Sequence, residues 1–251
     1  MDDTQLLRYS RHILLSELGV DAQERFTGAH ALIVGVGGLG NPAAQFLAAA
    51  GVGTLTLVDA DRVDLTNLQR QILFDTTSIG RNKVEAAGQR IAAVNPEVHV
   101  VQVTARVGDA ELAPLARAAD VIVDCSDNFA TRHAVNRASV AAKKPLVSGA
   151  AIRFDGQLAV FDPRDTASPC YHCLFGEGDE FEETRCATMG VFAPLVGIVG
   201  ATQAAEALKL LAKVGRSLAG RLLLLDALSM EWREVRVQKD PQCPVCGPER
   251  R

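Results

Sequence analysis

The stretch LIVGVGGLGNPAAQFLAAAG, residues 32–51, limits the fold more than any other part of the chain. An apolar run ends in Gly35-Val36-Gly37-Gly38-Leu39-Gly40, which fits G-x-G-x-x-G, and a small-residue helical stretch follows at once. That spacing calls for a strand, a tight turn and a helix. Gly35 permits the turn, Gly37 lets backbone N–H groups approach phosphate oxygens, and Gly40 lets the helix lie close to the strand. The helix N-terminus adds partial positive charge. Asn41 is placed to cap the helix and Pro42 to take its first position. Asp59 ends the next apolar run (TLTLVDAD), where a carboxylate can bind ribose hydroxyls. Taken alone, the turn leaves open an unliganded glycine turn, an NAD or FAD site, and a site for another nucleotide.

The surrounding pattern predicts an α/β chain with a Rossmann-like, mostly parallel sheet covered by helices on both faces. Apolar runs at 31–34, 54–58, 98–103, 121–124 and 146–148 alternate with helical stretches at 42–50, 81–94, from 109, and 129–143. Residues 1–28 read as an N-terminal helical arm with stops at Gly19 and Gly28, and 29–150 as the nucleotide-binding part. After Gly149 the rhythm changes. Strands at 157–161, 222–225 and 232–237 suggest an antiparallel extension, with a helix near 196–213 and a turn at Asp155-Gly156. With no repeat or low-complexity linker, one domain over 1–251 is expected, carrying an irregular segment near 162–190.

Charge and termini narrow the function classes. A net charge of −4 argues against broad attraction to nucleic acid or anionic membranes, so any anion site must be local. The acidic start, Met1-Asp2-Asp3, lacks a secretory layout, and a cytoplasmic protein without disulfides is expected. The weakly charged stretch 189–205 reads as a buried helix, because its small and polar residues suit close packing in a core.

The residues just after Asp59 do not look like a hydride-transfer site. Asp61, Asn67, Arg70 and Gln71 lie just beyond the strand, and Lys83 opens the next helix. Guanidinium and ammonium groups beside a glycine turn suit a triphosphate. Asp127 and Asn128 come after the strand in VIVDCSDN. Asp127 could hold Mg²⁺ or cap the helix after it, or do both. Two C-x-x-C pairs, Cys170/Cys173 and Cys243/Cys246, offer four thiolates for a structural Zn²⁺ that would pin the tail to the irregular segment. Redox pairs, or His172 replacing one cysteine, are the competing readings.

Together, RYSRHI, GVGGLG, VDADRVDLTNLQRQ, Lys83, DCSDN and the paired cysteines resemble the MoeB/ThiF/HesA family, bacterial relatives of ubiquitin-activating enzymes, from about Leu7 to Cys246. The resemblance implies an adenylyltransferase that uses ATP and Mg²⁺ to activate the C-terminal Gly-Gly carboxylate of a ubiquitin-like sulfur carrier, MoaD-like or ThiS-like. It implies ribose binding by Asp59, phosphate contacts from Asn67, Arg70 and Lys83, and a metal or catalytic role for Asp127. It also implies a homodimer in which Arg11 reaches the neighbouring subunit's ATP. The chain ends soon after Cys246, so a separate sulfur donor protein is expected.

Arg185 would favour the thiolate of the neighbouring Cys186, and the resemblance to ThiF-type relatives implies a sulfur-transfer role for it, the other reading being a plain loop cysteine. Cys125, Tyr9 and Trp232 read as packing residues, and His12, His30, His99 and His133 as structural or surface groups. Three other activities compete: an NAD- or FAD-dependent oxidoreductase, a non-catalytic nucleotide-binding scaffold, and a relative that activates a peptide or small carboxylate.

Overall fold

The computed structural model describes residues 1–177 and 189–247. Its centre is one eight-stranded sheet in the order β3-β2-β1-β4-β5-β6-β7-β8. The first five strands are parallel: β1 (His30–Val34), β2 (Thr54–Val58), β3 (His99–Val103), β4 (Val121–Asp124) and β5 (Leu146–Ile152). β1 and β2 are buried over all but their first residue, and β4 over its whole length, because helices cover both faces of the sheet. β6 (Asp155–Phe161), β7 (Arg221–Asp226) and β8 (Glu231–Arg236) continue it antiparallel.

Two hydrophobic cores sit on the two faces. One gathers α4 (Gly40–Ala49), α5 (Lys83–Val94) and the long α9 (Ala193–Ala212), and the other gathers α6 (Asp109–Ala118) and α7 (Phe129–Ala142). α9 has the length and hydropathy of a membrane span, yet it packs against α4, β5 and β6 as a core helix. The approach to α4 is close. A Cβ added at Gly200 would lie 2.3 Å from the Leu39 carbonyl oxygen.

The arm consists of α1 (Asp3–Arg8), α2 (Ser10–Ile13) and α3 (Gly19–Gly28). Tyr9 anchors it: its buried hydroxyl donates to Glu97 at 3.0 Å and accepts from Asn95 Nδ2 at 2.9 Å. Burial raises the Tyr9 pKa, so the phenol stays a donor. Leu7 and Leu14, by contrast, are 77% and 72% exposed.

Several local expectations need correction. Asn41 is not the cap of α4, because the helix already starts at Gly40 behind Leu39 in helical conformation. The buried Asn41 amide instead donates to the Val36 carbonyl at 2.8 Å and accepts from the Leu73 N–H at 2.8 Å, tying the glycine turn to the loop after β2. Gly19, with φ of +63°, opens α3 and does not end a longer helix. The β5–β6 turn is Arg153-Phe154, with Arg153 at φ +51°, and Asp155 and Gly156 belong to β6. Trp232 is 43% exposed, on a strand with no buried residue.

Candidate functional site

The parallel strands end side by side, and the chain turns away on opposite faces after β1 and after β4. That divergence opens a crevice at the carboxyl ends, the usual ligand position in such sheets. Gly35 holds φ +91° there, and its N–H donates to the Val58 carbonyl at 2.8 Å. A Cβ at Gly40 would lie 2.0 Å from the Gly35 carbonyl oxygen, so α4 can start this close to the turn only because Gly40 has no side chain. Gly37 has no such crowding, and the space above it belongs to a cavity of about 1450 Å³.

That cavity brings together Gly37, Gly38, Asp59, Asp61, Asn67, Arg70, Gln71, Lys83, Asp127 and Asn128. Asp59 is held rigidly, one carboxylate oxygen accepting from Val36 N–H and the other from Asp61 N–H, both at 2.8 Å. Each oxygen keeps a lone pair for a ligand hydroxyl. Lys83, buried at the first position of α5, places its Nζ 2.9 Å from Asp61 Oδ2. Arg70 donates to the Thr66 carbonyl at 3.1 Å, and Asn67 caps its own short turn by accepting from Asp64 N–H. Gln71 is buried, and its Oε1 has no hydrogen-bond partner among the described residues. A buried amide with an unmet bond on the cavity wall fits a site shaped for a polar ligand.

The helix cap after β4 is Asn128, whose Oδ1 accepts from Thr131 N–H at 2.9 Å. Asp127 is therefore not the cap, and its exposed carboxylate lies on the cavity wall. Arg11 sits exposed on α2 and does not line the cavity. Cys186 lies outside the described residues. Cys125 is buried, 3.5 Å from Gln203 Oε1, and burial pushes its thiol pKa far up, as expected for a packing cysteine.

Sequence reasoning passes over the floor of this site. Asp124, fully buried, accepts from Ser126 N–H and Oγ at 3.0 and 2.6 Å and from Ser148 Oγ at 3.1 Å. The buried Arg132 donates to the Ser126 carbonyl at 2.6 Å. An acid at the end of a fully apolar strand is the available signal for Asp124. Nothing in the sequence signals the far wall, where Asp155, Gln157 and Arg233 extend the cavity along the antiparallel strands.

The four paired cysteines converge. Their Sγ atoms are 3.9 Å apart for Cys170 and Cys173, 3.7 Å for Cys170 and Cys243, and 3.5 Å for Cys173 and Cys246. A tetrahedral Zn²⁺ with bonds near 2.3 Å requires sulfurs about 3.8 Å apart, so the set fits the ion. Asn136 Nδ2 and Asp240 N–H donate to Cys170 and Cys173, the outer hydrogen bonds that orient thiolate ligands. Without a cation, burial pushes the Cys170 thiol up to about 11, and a bound Zn²⁺ would reverse that. His172 does not replace a cysteine; it faces His133 and Glu177 instead.

The fold and the crevice define a nucleotide-binding α/β protein whose tail ends in a four-cysteine cluster of a geometry that fits zinc. The comparisons place it more closely: the ThiF family matches residues 9–245, and the chain belongs to that family. It is an enzyme of the adenylyltransferase kind. It is 45% identical to the molybdopterin-synthase adenylyltransferase of Escherichia coli K12, over 98% of each chain. It is 44% identical to the ThiS adenylyltransferase of the same organism, over 98% of this chain and 97% of the relative. The solved structure of E. coli MccB with ATP superposes with a TM-score of 0.84 at 26% identity, over 96% of this chain and 73% of MccB.

Proposed function

We propose that the chain activates the C-terminal carboxylate of a ubiquitin-like sulfur carrier, MoaD-like or ThiS-like, by adenylation with ATP. The observation that carries this reading is the meeting of a glycine turn, the Asp59 carboxylate and the cations Arg70 and Lys83 with Asp127 in one cavity. A dinucleotide redox site would have no use for so many phosphate-directed charges, and the family membership sets that alternative aside.

In this reading Asp59 holds the ribose, and the turn N–H groups with Asn67, Arg70 and Lys83 hold the phosphates. Asp127 supplies hard oxygen ligands for Mg²⁺, which neutralises phosphate charge when bound. A carrier carboxylate oxygen attacks the α-phosphorus, the bond to the β-phosphate bridging oxygen breaks, and pyrophosphate leaves. The nucleophile is already ionised, so no general base is needed. The barrier is charge repulsion, and fixed cations lower it. The wall at Asp155, Gln157 and Arg233 offers polar groups to an extended Gly-Gly tail.

The enzyme works as a homodimer in which Arg11 reaches the partner's ATP. The exposed Leu7 and Leu14 of the arm give that pairing an apolar surface. Sulfur arrives from a separate donor protein. The test is ATP–pyrophosphate exchange with a ThiS-like carrier, a MoaD-like carrier and none. Exchange that depends on one carrier and disappears when its terminal glycine is removed is the expected result. Exchange with neither would overturn the reading.

A further inference from the structure

Beside the four cysteines lies a second cluster of metal-binding side chains that the adenylation site does not use. One ring nitrogen each of His133 and His172 and a carboxylate oxygen of Glu177 lie within 4.8 Å of one another. The two rings stand 5.7 Å apart between centroids at 66°. His133 is on α7 and only 4% exposed, and His172 is on α8 (Tyr171–Leu174), between two of the cysteines in sequence. The Nδ1 atoms of both rings are covered and have no hydrogen-bond partner among the described residues. Two covered and unpaired imidazole nitrogens within one cluster need a reason, because buried polar atoms are normally bonded.

A metal ion supplies that reason. Nitrogen and carboxylate ligands at about 2.0–2.2 Å stand roughly 3.3–3.6 Å from one another around Zn²⁺. The set therefore needs only a small inward closure, which the exposed Glu177 can provide. Glu177 is now paired with Arg137, whose Nη1 donates to its two oxygens at 3.1 and 3.0 Å. Arg137 also grips Asp109 through Nε and Nη2 at 3.0 and 3.1 Å. If Glu177 turns to a metal, Arg137 keeps a bidentate partner and no charge is stranded.

We propose that His133, His172 and Glu177 form a second transition-metal site, separate from the four-thiolate site and tying α7 to α8. Two imidazoles and one carboxylate suit Zn²⁺, Co²⁺, Ni²⁺ or Cu²⁺ and not Mg²⁺ or Ca²⁺. Three protein ligands leave a fourth position for water. Because the ion must displace Arg137 from Glu177, this site binds more weakly than the thiolates.

The test is Co²⁺ titration of the full chain by absorption spectroscopy, with stoichiometry checked by calorimetry. The first equivalent should show thiolate-to-cobalt charge transfer, and a second, weaker equivalent should bind without it. Glu177→Gln and His172→Gln should each weaken the second equivalent at least about 10-fold, since even outer hydrogen-bond partners of a metal site are worth that much. Both should leave the first equivalent's charge-transfer band unchanged. Glu177 is exposed, so its variant keeps the fold even if replacements at the buried His133 do not. A wild-type chain that binds one equivalent only, a second equivalent with thiolate charge transfer, or one insensitive to both variants would overturn the site.

Discussion

Gly37, Gly38, Asp59, Asp61, Asp127 and Asn128 of the nucleotide cavity all lie within four residues of the carboxyl end of β1, β2 or β4. The cysteine cluster joins Cys170 to Cys243, 73 residues apart, through segments outside the sheet. The parallel half thus positions chemistry by local backbone geometry, whereas the antiparallel half closes its tail over long range. The two halves should therefore fail differently, the first by losing turnover with the fold intact and the second by losing stability with turnover intact.

The largest expected effect tests the first half of that contrast. Asp127→Ala should lower adenylation about 10²–10³-fold, the scale for removing one charge-stabilising group from a reacting centre. Its melting temperature should not move, because the carboxylate is exposed and Asn128 carries the helix cap. Carrier-dependent pyrophosphate exchange and calorimetry on the same preparation measure both. Unchanged kinetics would remove Asp127 from the site.

The complementary test is Cys243→Ser. It should abolish stoichiometric zinc and lower the melting temperature by roughly 10 °C, the shift that a few kcal/mol produces in a chain of this size. Exchange at low temperature should persist. Full zinc content by atomic emission with an unchanged melting point would end the clamp assignment. Loss of exchange at a temperature where the variant is folded would show that the two halves are coupled.

The same contrast explains how much can be read from residues alone. The parallel half is legible because its rules are short-range: an apolar run, a glycine spacing and an acid at a strand end fix neighbouring positions. Even there the pattern misplaces Asn41, since its real partner, Leu73 N–H, is brought near only by the fold. The C-x-x-C pairs can be read as two half-sites because each is local. Nothing local announces that His133 and His172 meet, or that Asp155 and Arg233 extend the cavity, since those contacts depend on which strands become neighbours. The Arg153-Phe154 turn escapes for a related reason: no glycine marks it, and Arg153 adopts the left-handed region itself.

A smaller effect tests the join between the halves. Gly200 of α9 lies against the start of α4, where an added methyl would stand 2.3 Å from the Leu39 oxygen and 2.6 Å from Pro42. Gly200→Ala should cost about 1–3 kcal/mol of overpacking, roughly 2–12 °C in melting temperature. It should also weaken ATP binding, because the glycine turn is what α9 presses upon. Reduced stability with unchanged ATP affinity, measured by calorimetry, would show that the turn is insulated from the antiparallel half.

The smallest effect separates the halves by pH. His30, at the start of β1, has its two ring nitrogens at 3.0 Å from the Ala118 carbonyl and 2.8 Å from Thr56 Oγ1, and burial lowers its pKa. With the folded value below the unfolded one near 6.5, both states are neutral at higher pH and the contribution is complete. As pH falls below about 6.5 the unfolded chain takes up a proton that the native ring resists, so stability declines until the folded pKa is reached. In a Cys243→Ser background, where protonation of a zinc-bound cluster no longer contributes, urea midpoints should fall with acid less steeply for His30→Gln than for its parent. Equal slopes would move the acid sensitivity away from β1 to His133, which burial also shifts downward. The acid-sensitive element would then be α7, on the zinc-lobe side of the sheet and away from the nucleotide turn.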